Sequence, residues 1–115
     1  MVFPAWHITL TAAIAALASL LVTRWRFRAN SWREALEVSL VVGVSVALWR
    51  LAGNVGPLND DPIPLISPND VLAPIATYVA LAVHRGLRYP AAPLSSDSLA
   101  AWLVVVSFVA NVVVI

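Results

Sequence analysis

Hydrophobic residues along this chain are grouped into four long stretches, and most charged residues lie between them. The stretches cover about 4–23, 35–52, 71–87 and 97–115, and the first contains no charged residue. A helix that crosses a bilayer needs about 20 mainly apolar residues, because each residue rises about 1.5 Å and the hydrocarbon core is about 30 Å thick. Each stretch is therefore predicted to span a membrane, the third having the weakest signal.

Polar residues ahead of the second and third stretches are typical of helix N-termini. Residues 31–34, with the sequence SWRE, have the pattern of a capping box, in which serine and glutamate bind backbone N–H groups of the first turn. Ahead of the third stretch, Ser67, Asn69 and Asp70 are alternative caps. A cap at Asn69 or Asp70 leaves Pro74 in the first turn, whereas a cap at Ser67 puts Pro74 at a kink.

The connectors indicate how the helices are arranged. Two of them, 24–30 and 88–94, are short, and short connections favour antiparallel neighbours. The central connector, 53–69, contains prolines that are expected to preclude a regular helix or a central strand, and it is expected to lie at the membrane interface. The sequence thus predicts an all-α fold, one antiparallel bundle of four transmembrane helices over residues 1–115.

Composition supports a membrane protein and excludes other classes. The chain is 61% hydrophobic and only 11% charged, whereas about a quarter of the residues in a soluble domain are charged. A single domain of 115 residues has too little interior to bury so much apolar surface from water. The net charge of +1 gives no reason to expect a nucleic-acid partner. The absence of cysteine excludes disulfides and thiolate metal sites.

The distribution of arginine predicts the orientation. Six of the seven arginines lie near the two short connectors, and the positive-inside rule makes that side cytoplasmic, with both termini outside. Arginines follow the first stretch rather than precede it, which argues against a signal peptide. All seven lysine-or-arginine positions are arginine, a bias typical of proteins from GC-rich genomes. The expected location is a prokaryotic cell membrane.

A cluster of cationic and aromatic side chains marks the cytoplasmic boundary. It is predicted to fix the topology and to anchor the chain at the interface, and the alternative is that it binds anionic lipid headgroups. Its members are Arg24, Trp25, Arg26, Phe27, Arg28 and Arg33.

Small residues recur every four positions along the second stretch, at Ser39, Gly43 and Ala47. This spacing produces a helix face that another helix can approach closely. Ala12 and Ala16 give the first stretch a similar face. Whether the packing partner belongs to this chain or to another is left open, and position 42 is expected to face lipid.

Two pairs of polar residues lie at matching depths in the first and last stretches. His7 and Thr11 share one helix face, as do Ser107 and Asn111, because each pair is spaced i to i+4. We expect them to hydrogen-bond across the bundle, and the alternative is a polar pocket that opens outward.

Arg50 lies at the outer end of the second stretch, beside a connector that contains three aspartates. The favoured interpretation is that its side chain snorkels to the interface and pairs loosely with Asp60, Asp61 or Asp70. The alternative is a substrate or ion gate, because ionisable residues within a membrane are usually functional.

No catalytic, cofactor-binding or metal-binding residue is predicted. The chain has no nucleophile elbow, phosphate-binding glycine loop or HExxH motif. His7 and His84 fall near opposite ends of the membrane, so they are not expected to share a haem or metal. Four spans in a chain of this length resemble the small multidrug resistance transporters, but the glutamate of their first span has no counterpart here.

These observations favour a non-enzymatic membrane protein that acts by packing. It would be a structural or accessory subunit of a membrane assembly, or a homo-oligomer, with lipids and other membrane proteins or itself as partners. The alternative is a small oligomeric channel or transporter. A third hypothesis is a haem-bearing anchor of a respiratory complex, which requires a Soret band in the purified protein.

Overall fold

A computed structural model describes residues 3–26, 32–60, 66–88 and 97–114, apart from the side chains at 85, 86, 88, 97 and 98. This part of the chain is all-helical, as predicted, and α1 and α2 are each apolar and long enough to cross a membrane. The helices are α1 (Ala5–Arg26), α2 (Trp32–Ala52), α3 (Gly56–Asn59), α4 (Pro68–Arg88) and α5 (Asp97–Val114).

The four long helices pack in a ring, in which α1 contacts α2 and α5, and α4 contacts the same two helices. At one end, Nε2 of His7 in the first turn of α1 lies 2.8 Å from the carbonyl oxygen of Val114 in the last turn of α5. At the other end, the guanidinium of Arg24 lies 4.6 Å from the ring centroid of Trp32, the first residue of α2. Neighbouring helices therefore run antiparallel. We name the end that carries α3 the connector end, and the opposite end the arginine end.

The N-terminus of α4 is capped by Ser67, the alternative that places Pro74 inside the helix. The hydroxyl of Ser67 accepts a hydrogen bond from the backbone N–H of Asp70 at 3.3 Å, and Oδ2 of Asp70 accepts one from the N–H of Ser67 at 2.8 Å. Pro68 occupies the first helical position, where its missing N–H costs nothing. Pro74 cannot bond the carbonyl of Asp70, so the first turn of α4 is held by this reciprocal cap.

The central connector contains a helical turn, which corrects the expectation that its prolines preclude one. α3 spans only Gly56–Asn59, and Pro57 lies in its first turn, where proline is tolerated. The prolines limit the length of this helix rather than prevent it. Asp61, like the rest of 61–65, lies outside the described residues.

The core contains small and branched apolar side chains from all four long helices. Val42 is fully buried in it, so the expectation that position 42 faces lipid was wrong; Val44, two residues further along α2, is 55% exposed. A rotation of about 100° per residue separates these faces of α2.

The outer surface is apolar, while many polar side chains are buried. Trp6, Leu40, Leu48 and Val113 are each more than 60% exposed, and every long helix exposes large hydrophobic side chains. The buried polar and charged residues of the described chain are Thr11, Ser19, Thr23, Ser39, Ser45, Arg50, Asn59, Ser67, Asn69, Asp70, Thr77, Ser107 and Asn111.

Candidate functional site

A buried ion pair lies inside the connector end of the bundle. Nη2 of Arg50, in the last turn of α2, lies 2.5 Å from Oδ1 of Asp70, in the first turn of α4. The two residues are 1% and 2% exposed. Nε of Arg50 donates to Oδ1 of Asn111 on α5 at 2.8 Å. One guanidinium thus connects three helices.

Both oxygens of the Asp70 carboxylate accept hydrogen bonds. Oδ1 accepts from Arg50, and Oδ2 accepts from the backbone N–H of Ser67. Nη1 of Arg50 is buried and has no hydrogen-bond partner among the described residues. Asp70, which completes the reciprocal cap of α4 with Ser67, is therefore also the counter-ion of Arg50, so the ion pair and the start of α4 depend on each other.

A chain of hydrogen bonds leads from this pair toward the middle of the bundle. Nδ2 of Asn111 donates to the carbonyl oxygen of Ser107 at 2.7 Å. The hydroxyl oxygens of Ser107 and Thr77 are 3.0 Å apart, and those of Thr77 and Ser45 are also 3.0 Å apart. Arg50, Asn111, Ser107, Thr77 and Ser45, together with Asp70, form what we call the buried polar network.

The network stops partway through the bundle. Ser45 is five residues from Arg50, which corresponds to about 7.5 Å along the helix axis. On the arginine side of this level lies an apolar layer of five fully or almost fully buried side chains: Val38, Val42, Leu81, Leu99 and Leu103. Ser19, Thr23 and Ser39 are also buried on that side, and the hydroxyls of Thr23 and Ser39 donate to backbone carbonyls of their own helices. In the described part of the chain, no hydrogen bond joins these three hydroxyls to the buried polar network.

Asparagines hold the connector end together. Oδ1 of Asn69 accepts from the indole N–H of Trp49 at 2.9 Å, and its Nδ2 donates to Oδ1 of Asn59 at 2.7 Å. Asn59 in turn donates to Oδ1 of Asn54 at 3.0 Å, and Asn54 forms two hydrogen bonds with the backbone of Phe3. The start of the chain, the connector and α4 are thereby joined.

The position of Arg50 corrects the interpretation that it snorkels to the interface. Among the described residues, Asp70 is the expected partner that it meets, and the contact is buried and charge-assisted rather than loose. Asp60 is exposed. The guanidinium points inward because α4 and α5 supply Asp70 and Asn111 on the same side.

The four polar residues expected to bond across α1 and α5 are divided between two sets of contacts. Thr11 donates to the carbonyl of His7 in its own helix at 2.9 Å, and His7 contacts the backbone of α5 through Val114. Ser107 and Asn111 face α2 and α4 instead. The expected hydrogen bonds between the two side-chain pairs are therefore not formed, although α1 and α5 are neighbours.

Gly43 lies where α1 and α2 approach each other closely. A Cβ atom placed on it would be 3.0 Å from Cβ of Ala16 and 3.3 Å from the carbonyl oxygen of Ala12. Ser39 is buried and bonds the carbonyl of Ala35 in its own helix at 2.8 Å, while Ala47 packs at the edge of the core. In this monomer the small faces of the two helices meet within one chain.

At the arginine end, aromatic rings lie beside the cationic side chains. Arg24 stacks over Trp32, and the guanidinium of Arg26 lies 6.0 Å from the ring centroid of Trp102. Trp25 is 63% exposed, and Arg33 is also exposed. Phe27 and Arg28 lie outside the described residues.

Both histidines are in hydrogen-bonding environments. Nε2 of His84 lies 2.7 Å from Oε1 of Glu37, which joins α4 to α2 near the arginine end. His7 lies at the connector end, so the two are separated along the bundle as expected. Among the described residues, no group of three His, Cys, Asp or Glu side chains could hold a metal.

Sequence reasoning missed Ser45 and the asparagines of the connector. The spacing could have indicated Thr77 as a member of the network, since it lies seven residues after Asp70 on the same face of α4. Ser45 and Asn69 gave no such signal, because their partners come from other parts of the chain. Tyr78, a neighbour of Thr77, is 53% exposed and lies outside the network.

Comparisons of the chain with protein-family models, with curated proteins and with solved structures give no match.

Proposed function

We propose that this chain is a four-span integral membrane protein, with both termini outside the cytoplasm, in a prokaryotic cell membrane. It acts without enzymatic chemistry, by helix packing, as a structural or accessory subunit of a membrane assembly or as a homo-oligomer. The observation that carries the proposal is the distribution of side chains, with apolar ones on the outer surface and charged and polar ones buried inside.

This distribution of side chains favours a lipid environment around the outer surface. Trp6 and Val113 are 68% and 76% exposed, whereas Arg50, Asp70 and Asn111 are at most 2% exposed. In water this arrangement leaves a large apolar surface hydrated and removes charges from water, and both effects oppose folding. In a bilayer both effects reverse, because exposed apolar groups meet acyl chains and polar groups pair inside.

The dimensions are compatible with four spans, including α4, whose sequence signal is the weakest. The described residues extend over 42 Å along the bundle axis, close to the thickness of about 40–45 Å for a bilayer with its headgroups. α4 exposes Val71, Ile75, Val79 and Val83 on its outer face. Of its polar residues, Asp70 and Thr77 lie in the buried polar network, and Asn69 is also buried.

A role in packing is supported by the closed interior. Hydrogen bonds of the buried polar network connect its members to one another, and the apolar layer closes the bundle toward the arginine end. The remaining surface consists of apolar helix faces, which can meet lipid or another membrane protein.

A topology assay tests the four-span proposal. Alkaline phosphatase, which is active only outside the cytoplasm, is expected to be active when fused after Ile115 and inactive when fused near Asn30. Green fluorescent protein at the same two positions serves as the matched control, because it fluoresces only in the cytoplasm and should give the reverse pattern. Activity of both phosphatase fusions, or of the Asn30 fusion alone, contradicts the proposed orientation.

Native mass spectrometry after purification in mild detergent tests the packing role. We expect a homo-oligomer or a complex with another membrane protein. A strictly monomeric particle with no co-purifying protein contradicts this part of the proposal and leaves the topology result standing.

A small channel or transporter is the second candidate, and the buried Arg50–Asp70 pair is what favours it. Ionisable groups inside membranes often mark ion or substrate pathways. Flux of ions or small solutes into liposomes that is lost in Arg50→Met or Asn111→Ala, but kept in Asp60→Asn, supports this candidate. If liposomes that contain the wild-type chain show no flux of ions or small solutes, this candidate is refuted.

A further inference from the structure

An apolar groove runs along the outside of the bundle between α1 and α5. It has a volume of about 310 Å³ and is lined by Ile14 and Ala18 on one side and by Trp102, Val109 and Val113 on the other. The lining of α5 extends from Trp102 to Val114, which is about 18 Å at 1.5 Å per residue. One leaflet contributes about 15 Å of hydrocarbon, half of the total, so the groove is long enough for one acyl chain.

The groove ends at a cationic and aromatic cluster. Trp102, which lines the groove, lies 6.0 Å from the guanidinium of Arg26 and makes an edge-to-face contact with Trp25 at 6.1 Å between centroids. Arg26 is exposed. Tryptophan is enriched at the headgroup level of membranes, and arginine binds phosphate through its planar set of donors.

Two other outer grooves, formed by described residues between α2 and α4 and between α4 and α5, lack this combination. The groove between α2 and α4 is lined at its arginine end by Glu37, whose charge opposes an anionic headgroup. The groove between α4 and α5 is lined by apolar residues and Tyr78, with no cationic side chain among them. Charge complementarity therefore distinguishes the α1–α5 groove from its neighbours.

We infer that the α1–α5 groove is a binding site for an anionic phospholipid, with an acyl chain along the groove and the headgroup phosphate at Arg26. The inference rests on the proposed membrane location. The groove supplies apolar contact that any phospholipid shares, and Arg26 supplies the preference for negative charge. One arginine at a membrane surface is expected to give a preference of about fivefold, corresponding to about 1 kcal/mol.

Native mass spectrometry with two competing lipids tests the site. The purified full chain is equilibrated in non-ionic detergent with equal amounts of phosphatidylglycerol and phosphatidylcholine that have the same acyl chains. The wild type is expected to retain phosphatidylglycerol about fivefold over phosphatidylcholine. Arg26→Gln should abolish this preference, while Arg33→Gln, which removes the same charge from another exposed position at that end, should keep it.

A second pair of variants tests the groove itself. Ala18→Leu fills the groove and should lower retention of both lipids at least threefold, whereas Ala13→Leu, on an exposed face of α1 outside the groove, should leave retention unchanged. Circular dichroism confirms that the variants are folded, and the exposed Arg26 position tests the inference independently of any effect of Ala18→Leu on folding.

Three results would overturn the inference: equal retention of both lipids by the wild type, equal effects of Arg26→Gln and Arg33→Gln, or a loss of dimers in Ala18→Leu with unchanged lipid retention. The last result would assign the groove to a second copy of the chain. Carbonate extraction of membranes separates the two proposals. A chain that resists extraction but shows no lipid preference contradicts only the lipid site, and a chain that is extracted contradicts the membrane location.

Discussion

Replacing Asp70 by asparagine removes one charge of the buried pair while keeping the shape of the side chain. The amide offers one oxygen and one NH₂ group, whereas the carboxylate offers two acceptors. Because one side of Asp70 faces Arg50 and the other faces the N–H of Ser67, the amide must turn its NH₂ group toward one of these donors. Asp70→Asn thus leaves a donor unpaired and a guanidinium without its counter-ion.

The expected loss of stability is large because the ion pair is almost completely buried. Arg50 and Asp70 are 1% and 2% exposed, and removing one partner of a buried pair costs about 3–5 kcal/mol. Arg50→Met is expected to cost less, about 2 kcal/mol, because Oδ2 of Asp70 keeps its hydrogen bond from the N–H of Ser67 and the unpaired Nη1 donor of Arg50 is removed. The double variant Arg50→Met/Asp70→Asn should be more stable than Asp70→Asn alone, since no charge is left buried.

Equilibrium unfolding in mixed micelles, followed by circular dichroism, measures these differences. Asp60→Asn is the matched control, because it removes the same charge from an exposed position of the connector and should change stability by less than about 0.5 kcal/mol. Equal losses for Asp70→Asn and Asp60→Asn would refute the buried pair. A double variant whose loss equals the sum of the single losses would refute the coupling between the two side chains.

Two further predictions concern helix packing and the hydroxyls of the network. Gly43→Leu should destabilise the bundle by about 1–3 kcal/mol, because the leucine side chain meets the backbone and Cβ atoms of α1. In thermal unfolding, the control Val44→Leu on the exposed face should be nearly neutral. Equal stability of the two variants would contradict the close approach of α1 and α2. Thr77→Val should lower the free energy of unfolding by only about 0.6 kcal/mol, which is typical for a hydrogen bond between helices in a membrane. Asn111→Ala leaves Nε of Arg50 unpaired, so it should cost at least twice as much in the same micelle assay. The reverse order would show that the hydroxyls, rather than the arginine contacts, hold the network together.

The positions of the long helices could be predicted from the sequence. Each helix begins and ends within three residues of the expected stretch, as with 35–52 against Trp32–Ala52 and 71–87 against Pro68–Arg88. Apolar run length and capping residues are local properties, and backbone hydrogen bonds within a helix need no partner from elsewhere. For the same reason the sequence offered Ser67 among the caps of α4 but could not choose it, because the choice depends on the contacts of Asp70.

Only the tertiary structure decided which way each helix faces. A helix that is apolar all round has no pattern that separates an inner face from an outer one, so Val42 was assigned to lipid although it is buried in the core. In an apolar solvent the interior is chosen by pairing of polar groups and by close contact of small residues, not by removal of apolar surface from water. The inward direction of Arg50 therefore depends on Asp70 and Asn111, which lie 20 and 61 residues away along the chain and meet it only once α2, α4 and α5 have packed.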